Sequence, residues 1–257
     1  MSQEPTVQPS VATVAEGVAR ISWEPGENVD VVRREVAAAL VDHPRVEALV
    51  DPDDEGGQRL ATWSGMRREG VMRGVTVDGG PVDRVVYARL ATDTPVHEPA
   101  GFRELLNSFL PRKRAISQML VRDEEGRVLL CRLTYKQDWD LPGGVVEVGE
   151  APREAVTREV EEELALQIPA GELLLTDWLP PWSGWDDALC LVYDGGVHPA
   201  SITASIVEQA REIRSAQFCT PAEVREHCAD FTARRVEAAL ARVADPTGAP
   251  AYTESGR

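Results

Sequence analysis

The order of segments predicts an α/β protein, a mixed sheet with helices on both faces preceded by a smaller α/β segment. Three observations carry this. Between residues 112 and 244, short apolar and β-branched runs alternate with amphipathic stretches of helical length. A proline-marked stretch at 92–99 separates two parts of ordinary globular composition. Around residue 160, apolar residues recur every fourth position, as in a helix docked on a sheet. At 257 residues, 43% hydrophobic and 27% charged, the chain is long enough for one large or two small domains.

Residues 1–15 are polar with prolines and read as a disordered tail. A smaller α/β segment follows at 16–91, with strands at 18–23 and 46–50, helices at 30–41 and 55–64, and strands at 71–77 and 84–90. Residues 92–111 form a linker ending in a short helix at 102–110. The larger segment, 112–244, opens on Arg112, Lys113 and Arg114; strands at 115–121 and 127–132 then flank Asp123-Glu124-Glu125-Gly126, a good hairpin turn. A loop with Trp139 leads to a helix at 151–164, opened by Pro152, whose missing N–H would have no partner in a first turn. Strands at 173–178, 188–193 and 213–219 and helices at 221–228 and 231–243 complete it, and 245–257 reads as a second disordered tail.

The helix at 151–164 concentrates the chemistry. At about 100° per residue, Glu159, Glu162 and Glu163 share an arc of roughly 100°, beside an apolar stripe of Val156, Val160 and Leu164. Carboxylates so crowded repel one another and take up protons unless a cation neutralises them. Mg²⁺ suits the task, being a hard ion that bridges carboxylates to phosphates. Arg158, four residues before Glu162, can orient a carboxylate through a charge-assisted hydrogen bond. Upstream, Gly143-Gly144 lets the backbone approach a metal or phosphate with no side chain in the way.

Gly144, Glu150, Arg158, Glu159, Val160, Glu162, Glu163 and Leu166 resemble, position by position, the Nudix box. The resemblance implies a Nudix-type α/β/α sandwich with a mixed sheet that hydrolyses a nucleoside diphosphate linked to another group. It implies Mg²⁺, with Mn²⁺ as a substitute, held by Glu159, Glu162, Glu163 and the Gly143 carbonyl. The catalytic set is then Glu162 and Glu163 at the metal, Arg158 as the orienting group, and Glu212 before a predicted strand as a further acid. Arg132 and Lys136 are expected to meet phosphates, and Trp182 and Trp185, with Trp178 nearby, to form an aromatic wall for a base. The helix exit departs from the family pattern, with Ala165 in place of glycine. A second reading is a non-catalytic nucleotide-sensing or scaffold protein; the intact box acids argue against it.

Residues 50–54, 66–74 and 83–87 resemble the second half of a GNAT-type N-acetyltransferase. That family binds pyrophosphate on a glycine-rich loop opening a helix, whereas Glu24-Pro25-Gly26-Glu27-Asn28 supplies one glycine and two acids. Residues 16–91 are therefore read as a degenerate half-domain without acetyl transfer.

A net charge of −16 opposes binding to nucleic-acid backbones and anionic membranes, and leaves a small nucleotide as the expected partner. Residues 1–17 lack a basic stretch followed by an apolar core, and no run approaches the roughly 18 apolar residues of a membrane span, so a cytoplasmic protein is expected. Cys131, Cys190, Cys219 and Cys228 form no Cys-x-x-Cys pair and share no zinc-like spacing with the histidines, so reduced, structural cysteines are expected.

Overall fold

The computed structural model describes residues 9–77 and 79–257. It divides into two compact units, Met1–Pro111 and Arg112–Arg257.

In the first unit, β1 (Ser10–Ala15), β2 (Val18–Ser22), β3 (Arg45–Val50), β4 (Arg67–Val77) and β5 (Gly80–Leu90) form a sheet in the order β1-β2-β3-β5-β4. Helix α1 (Val29–Ala39) connects β2 to its parallel neighbour β3, and α2 (Glu55–Trp63) follows β3. Alternation along the strands sends Ala19, Ile21, Val46, Ala48 and Val50 to one face, where they pack with Val32 and Val36 of α1 and Ala61 of α2. Their neighbours in sequence include Arg20, Arg45 and Glu47, which join Glu69 in a chain of ion pairs. Helix α3 (Pro99–Phe109) closes the unit.

The second unit holds β6 (Arg114–Asp123), β7 (Val128–Leu133), β8 (Gly143–Val145), β9 (Leu173–Leu179), β10 (Ala188–His198), β11 (Ile213–Cys219) and β12 (Tyr252–Glu254). The sheet runs β11-β7-β6-β10-β9-β12, with β8 also paired to β6. It is mixed: β6 with β10 and β9 with β12 are parallel, the other pairs antiparallel. Along β6, Met119 and Val121 face one core with Val156, Val160 and Leu164 of α4 (Pro152–Leu164). Leu120 faces the other, with Val224 of α5 (Pro221–His227) and Val236 and Ala239 of α6 (Asp230–Ala244). A strand buried on both faces reads as an unbroken apolar run, and the result is an α/β/α sandwich.

Two expectations need correction. Residues 10–15, assigned to a disordered tail, form β1, which pairs antiparallel with β2 across a turn where Gly17 takes a φ of +71°. All six side chains are exposed, so no hydrophobic periodicity announced the strand; residues 1–8 lie outside the described residues. The segment 245–257 is likewise ordered. Its β12 lies parallel to β9, Ser255 N–H donates to the Trp178 carbonyl at 2.9 Å, and Thr253 is buried. Backbone pairing is blind to the Pro- and Gly-rich composition that suggested disorder. The sequence reading also passed over the three-residue β8 and a 3-10 helix at Ala200–Ser205.

Candidate active site

Helix α4 packs its apolar stripe on the sheet and presents its acids toward β8, the continuation of the Gly-Gly loop. The glycines are needed there. Gly143 has a φ of +135°, and a Cβ on it would collide with the Ser117 carbonyl. A Cβ on Gly144 would lie 2.5 Å from the Glu159 carboxyl carbon.

Glu163 is only 5% exposed and accepts a hydrogen bond from Gly143 N–H at 3.0 Å. Burial, reinforced by the charges of Glu159, Glu212 and Asp140 and only partly offset by that N–H, pushes its carboxyl up to about 8. Burial also raises Glu159, against the opposing pull of Arg158. Glu212, immediately before β11, lies within electrostatic reach of both.

Arg158 holds Glu150 through two parallel bonds, Nε to Oε1 at 2.9 Å and Nη2 to Oε2 at 3.1 Å. Its Nη1 donates to Glu159 and to Glu162, both at 3.0 Å. It thus reaches Glu162 as its spacing suggested and clamps Glu150 besides. Among the described residues no three His, Cys, Asp or Glu side chains converge as a metal-holding group, and Arg158 pairs with both Glu159 and Glu162. The donor chemistry nevertheless fits a hard dication: oxygen ligands only, a buried carboxyl whose ionisation lacks a compensating charge, and a backbone trimmed to glycine beside it.

Helix α4 ends at Ala165 in the left-handed conformation, φ 56° and ψ 25°. The backbone keeps the geometry for which the family pattern has glycine, at a cost of about 1 kcal/mol for an alanine.

Beside the Gly-Gly loop opens a cleft of about 280 Å³, lined among others by Gly143, Gly144, Lys136, Asp140, Trp182 and Trp185. Lys136 Nζ pairs with Asp140 at 2.7 Å. Burial opposes the Asp140 charge, yet Lys136 and Arg235 hold its carboxyl below the usual range. The two tryptophans bracket a two-residue turn. Their backbones exchange hydrogen bonds of 3.1 and 2.9 Å, and Ser183 and Gly184 both take positive φ, 49° and 86°, as the tightest hairpins require. Directly opposed residues of such a ladder lie on one face, so both indoles point the same way. Trp182 packs edge-on against Phe231 at 5.4 Å, and the Arg114 guanidinium lies 4.9 Å over Trp185.

Of the residues expected to bind substrate, Lys136, Trp182 and Trp185 line this cleft; Arg132 is exposed on β7 and lines none of it. Trp178 also stays outside, its indole N–H directed at Asp187 at 3.3 Å. Sequence reasoning missed the cleft floor. There Arg235 of α6, 2% exposed, donates to Asp177 at 2.8 Å and to Gln118 at 3.1 Å, and Gln118 donates to Asp140 at 2.7 Å. Its signal was present: Arg235 falls among the inward residues Thr232, Val236 and Ala239 of α6.

Residues 111–240 match the family model described as the NUDIX domain. The nucleoside triphosphatase NudI of Escherichia coli O17:K52:H18 (strain UMN026 / ExPEC) is 33% identical over 112 residues, 40% of this chain and 74% of that protein. A MutT-like protein of Streptomyces ambofaciens is 41% identical over 59 residues, 23% of this chain and 38% of that protein. The crystal structure of a MutT protein from Methanosarcina mazei Go1 is similar at a TM-score of 0.45 and 22% identity, over 54% of this chain and 99% of that one. The family match spans half of the chain and takes in α4, the Gly-Gly loop and the cleft. The chain therefore belongs to the Nudix family and is a hydrolase of phosphorus-containing anhydrides.

Proposed function

We propose that the chain hydrolyses the pyrophosphate bond of a nucleoside diphosphate linked to another group, with Mg²⁺, or Mn²⁺ in its place. One observation carries this reading: a single cleft runs from the Gly-Gly loop to the paired indoles of Trp182 and Trp185, a span suited to phosphates at one end and a base at the other. The nucleoside triphosphatase among the similar proteins supports a nucleotide substrate.

In this reading Glu159, Glu162, Glu163 and the Gly143 carbonyl hold the ion. When bound, it neutralises phosphate oxygens and acidifies a water molecule. Arg158 keeps Glu159 and Glu162 oriented from its anchor on Glu150. Glu163, or Glu212 as an acid outside the box within its electrostatic reach, would position the attacking water. Lys136 meets the phosphates from the cleft wall.

The test is phosphate release from a panel of nucleotides with and without Mg²⁺, in the wild type and in Glu162→Gln and Glu163→Gln. Each substitution keeps shape and removes a charge, and turnover falls by orders of magnitude in folded protein. Undiminished hydrolysis in both variants would reject the site; binding without turnover in the wild type would favour a nucleotide sensor instead.

For residues 16–91 we propose a structural or interacting half-domain that does not transfer acetyl groups. The helix N-termini that would face a pyrophosphate are capped internally: Asn28 accepts from Asp30 N–H and Asp54 from Gly57 N–H, both at 2.8 Å. The four buried thiols suit a reducing compartment, which we take to be the cytoplasm.

A further inference from the structure

Tyr135 stands open in the cleft, and its own chain makes little use of it. It lies just past β7, lines the cleft and is 67% exposed, so a ligand reaches it freely. Among the described residues its hydroxyl has no hydrogen-bond partner, and its ring stacks on no other ring or cation. The residues on either side are committed. Thr134 N–H donates to the Glu212 carbonyl at 2.8 Å and Thr134 Oγ1 to the Arg211 carbonyl at 2.6 Å, while Arg214 Nη2 donates to the Thr134 carbonyl at 3.1 Å. Lys136 pairs with Asp140 at 2.7 Å. The backbone that carries Tyr135 is thus pinned to the segment that carries Glu212.

An aromatic side chain left without partners in a concave site is placed for a ligand. Its surroundings indicate which part of the ligand it meets. What burial the phenol has, with the negative charges of Glu163, Asp140 and Glu212, raises it above its ordinary value against the pull of Lys136. The hydroxyl therefore keeps its proton, and it stands within electrostatic reach of the acids beside the Gly-Gly loop. The cations at that end have partners already: Arg158 is divided among Glu150, Glu159 and Glu162, and Lys136 is balanced by Asp140. A neutral O–H adds a donor for an anionic oxygen without a counter-charge to give up.

Resting on the nucleotide-hydrolase reading above, we propose that Tyr135 is a phosphate-binding residue of the cleft, its hydroxyl donating a hydrogen bond to a phosphate oxygen of the substrate. The cleft then meets phosphate from one wall with two adjacent side chains, Tyr135 and Lys136, one neutral and one charged. The indoles of Trp182 and Trp185 are left to the base.

Tyr135→Phe provides the test, because it keeps the ring and removes only the donor. Tryptophan fluorescence, with Ca²⁺ in place of Mg²⁺, would follow titration with the diphosphates of adenosine, guanosine, uridine and cytidine, and with the four nucleosides. The variant, with an unchanged thermal melt, binds the tightest of the diphosphates about tenfold more weakly, as expected for a lost hydrogen bond to a charged acceptor. Its affinity for the matching nucleoside stays within about twofold of the wild type, which a merely structural role or a contact with the base would not give. A loss below about fivefold for the diphosphate overturns the proposal. So does a loss as large for the nucleoside, or a wild type that binds none of the diphosphates at millimolar concentration. The hydrolase reading is judged separately, by Mg²⁺-dependent phosphate release. A hydrolase indifferent to the Tyr135 hydroxyl and a binder that needs it without turnover are different results.

Discussion

Glu163 shows how a functional demand and stability oppose each other at one residue. Its folded carboxyl is pushed up to about 8 from an ordinary 4.5, so the folded state prefers the proton. The side chain's favourable contribution is therefore full below about pH 4.5 and is lost as the pH rises toward 8. Glu163→Gln should consequently stabilise the metal-free protein by on the order of 1–3 kcal/mol near pH 7, with no gain at pH 4, while abolishing turnover. Thermal melts across this pH range check it; a variant less stable than the wild type at pH 8 would contradict it. Mg²⁺ should narrow the difference by stabilising the wild type alone. Ala165→Gly should also stabilise, by about 1 kcal/mol, because glycine takes the left-handed exit of α4 without strain. At this scale the box acids were legible because fixed spacing on a helix fixes their face. Arg235 and Asp140 were not, since composition treats an arginine as surface and only the inward neighbours of α6 reveal its direction.

At the scale of elements, the hairpin carrying Trp182 and Trp185 is short, exposed and built on two left-handed residues. Stacking a base on an aromatic ring contributes about 1–3 kcal/mol, so Trp182→Ala or Trp185→Ala should raise KM roughly 5- to 150-fold with kcat nearly unchanged. Variants that only melt earlier, with KM unmoved, would assign the indoles to packing. Strands such as β6 and β7 were readable because burial writes an apolar pattern into them. Strand β1, exposed throughout, and the three-residue strands β8 and β12 depend on backbone pairing, which leaves almost no trace in side-chain identity. Lys136 was singled out with Arg132 by nearness to the box, but the bend after β7 turns only Lys136 into the cleft.

At the scale of the whole molecule, the two units divide the chain unevenly in chemistry. The Nudix match covers residues 111–240 and leaves α1, α2 and their sheet outside it. The first unit has a cleft of about 430 Å³ lined by Trp23, Glu27, Asp54, Arg59 and Trp63. With Glu27 and Asp54 on its wall and both helix N-termini capped internally, it should not take up acetyl-CoA. Saturable micromolar binding by calorimetry, lost on deleting residues 1–91, would overturn this.

The segment around β12 reaches further than its length suggests. Thr253 Oγ1 and Gly256 N–H both donate to Asp177, at 2.7 and 2.8 Å, and Asp177 in turn holds Arg235. Thr253→Val should cost about 1–3 kcal/mol in urea unfolding, since a buried carboxylate loses a donor. During synthesis the box, the Gly-Gly loop and the tryptophan hairpin all emerge before these two residues, so a nascent chain can assemble the sandwich while the Asp177 carboxylate still lacks two of its three partners. The cleft floor then matures after the fold. Released chains ending at Ala251 should resist proteolysis across α4 yet retain nucleotide less well than the full chain, an order of events written by chain position alone.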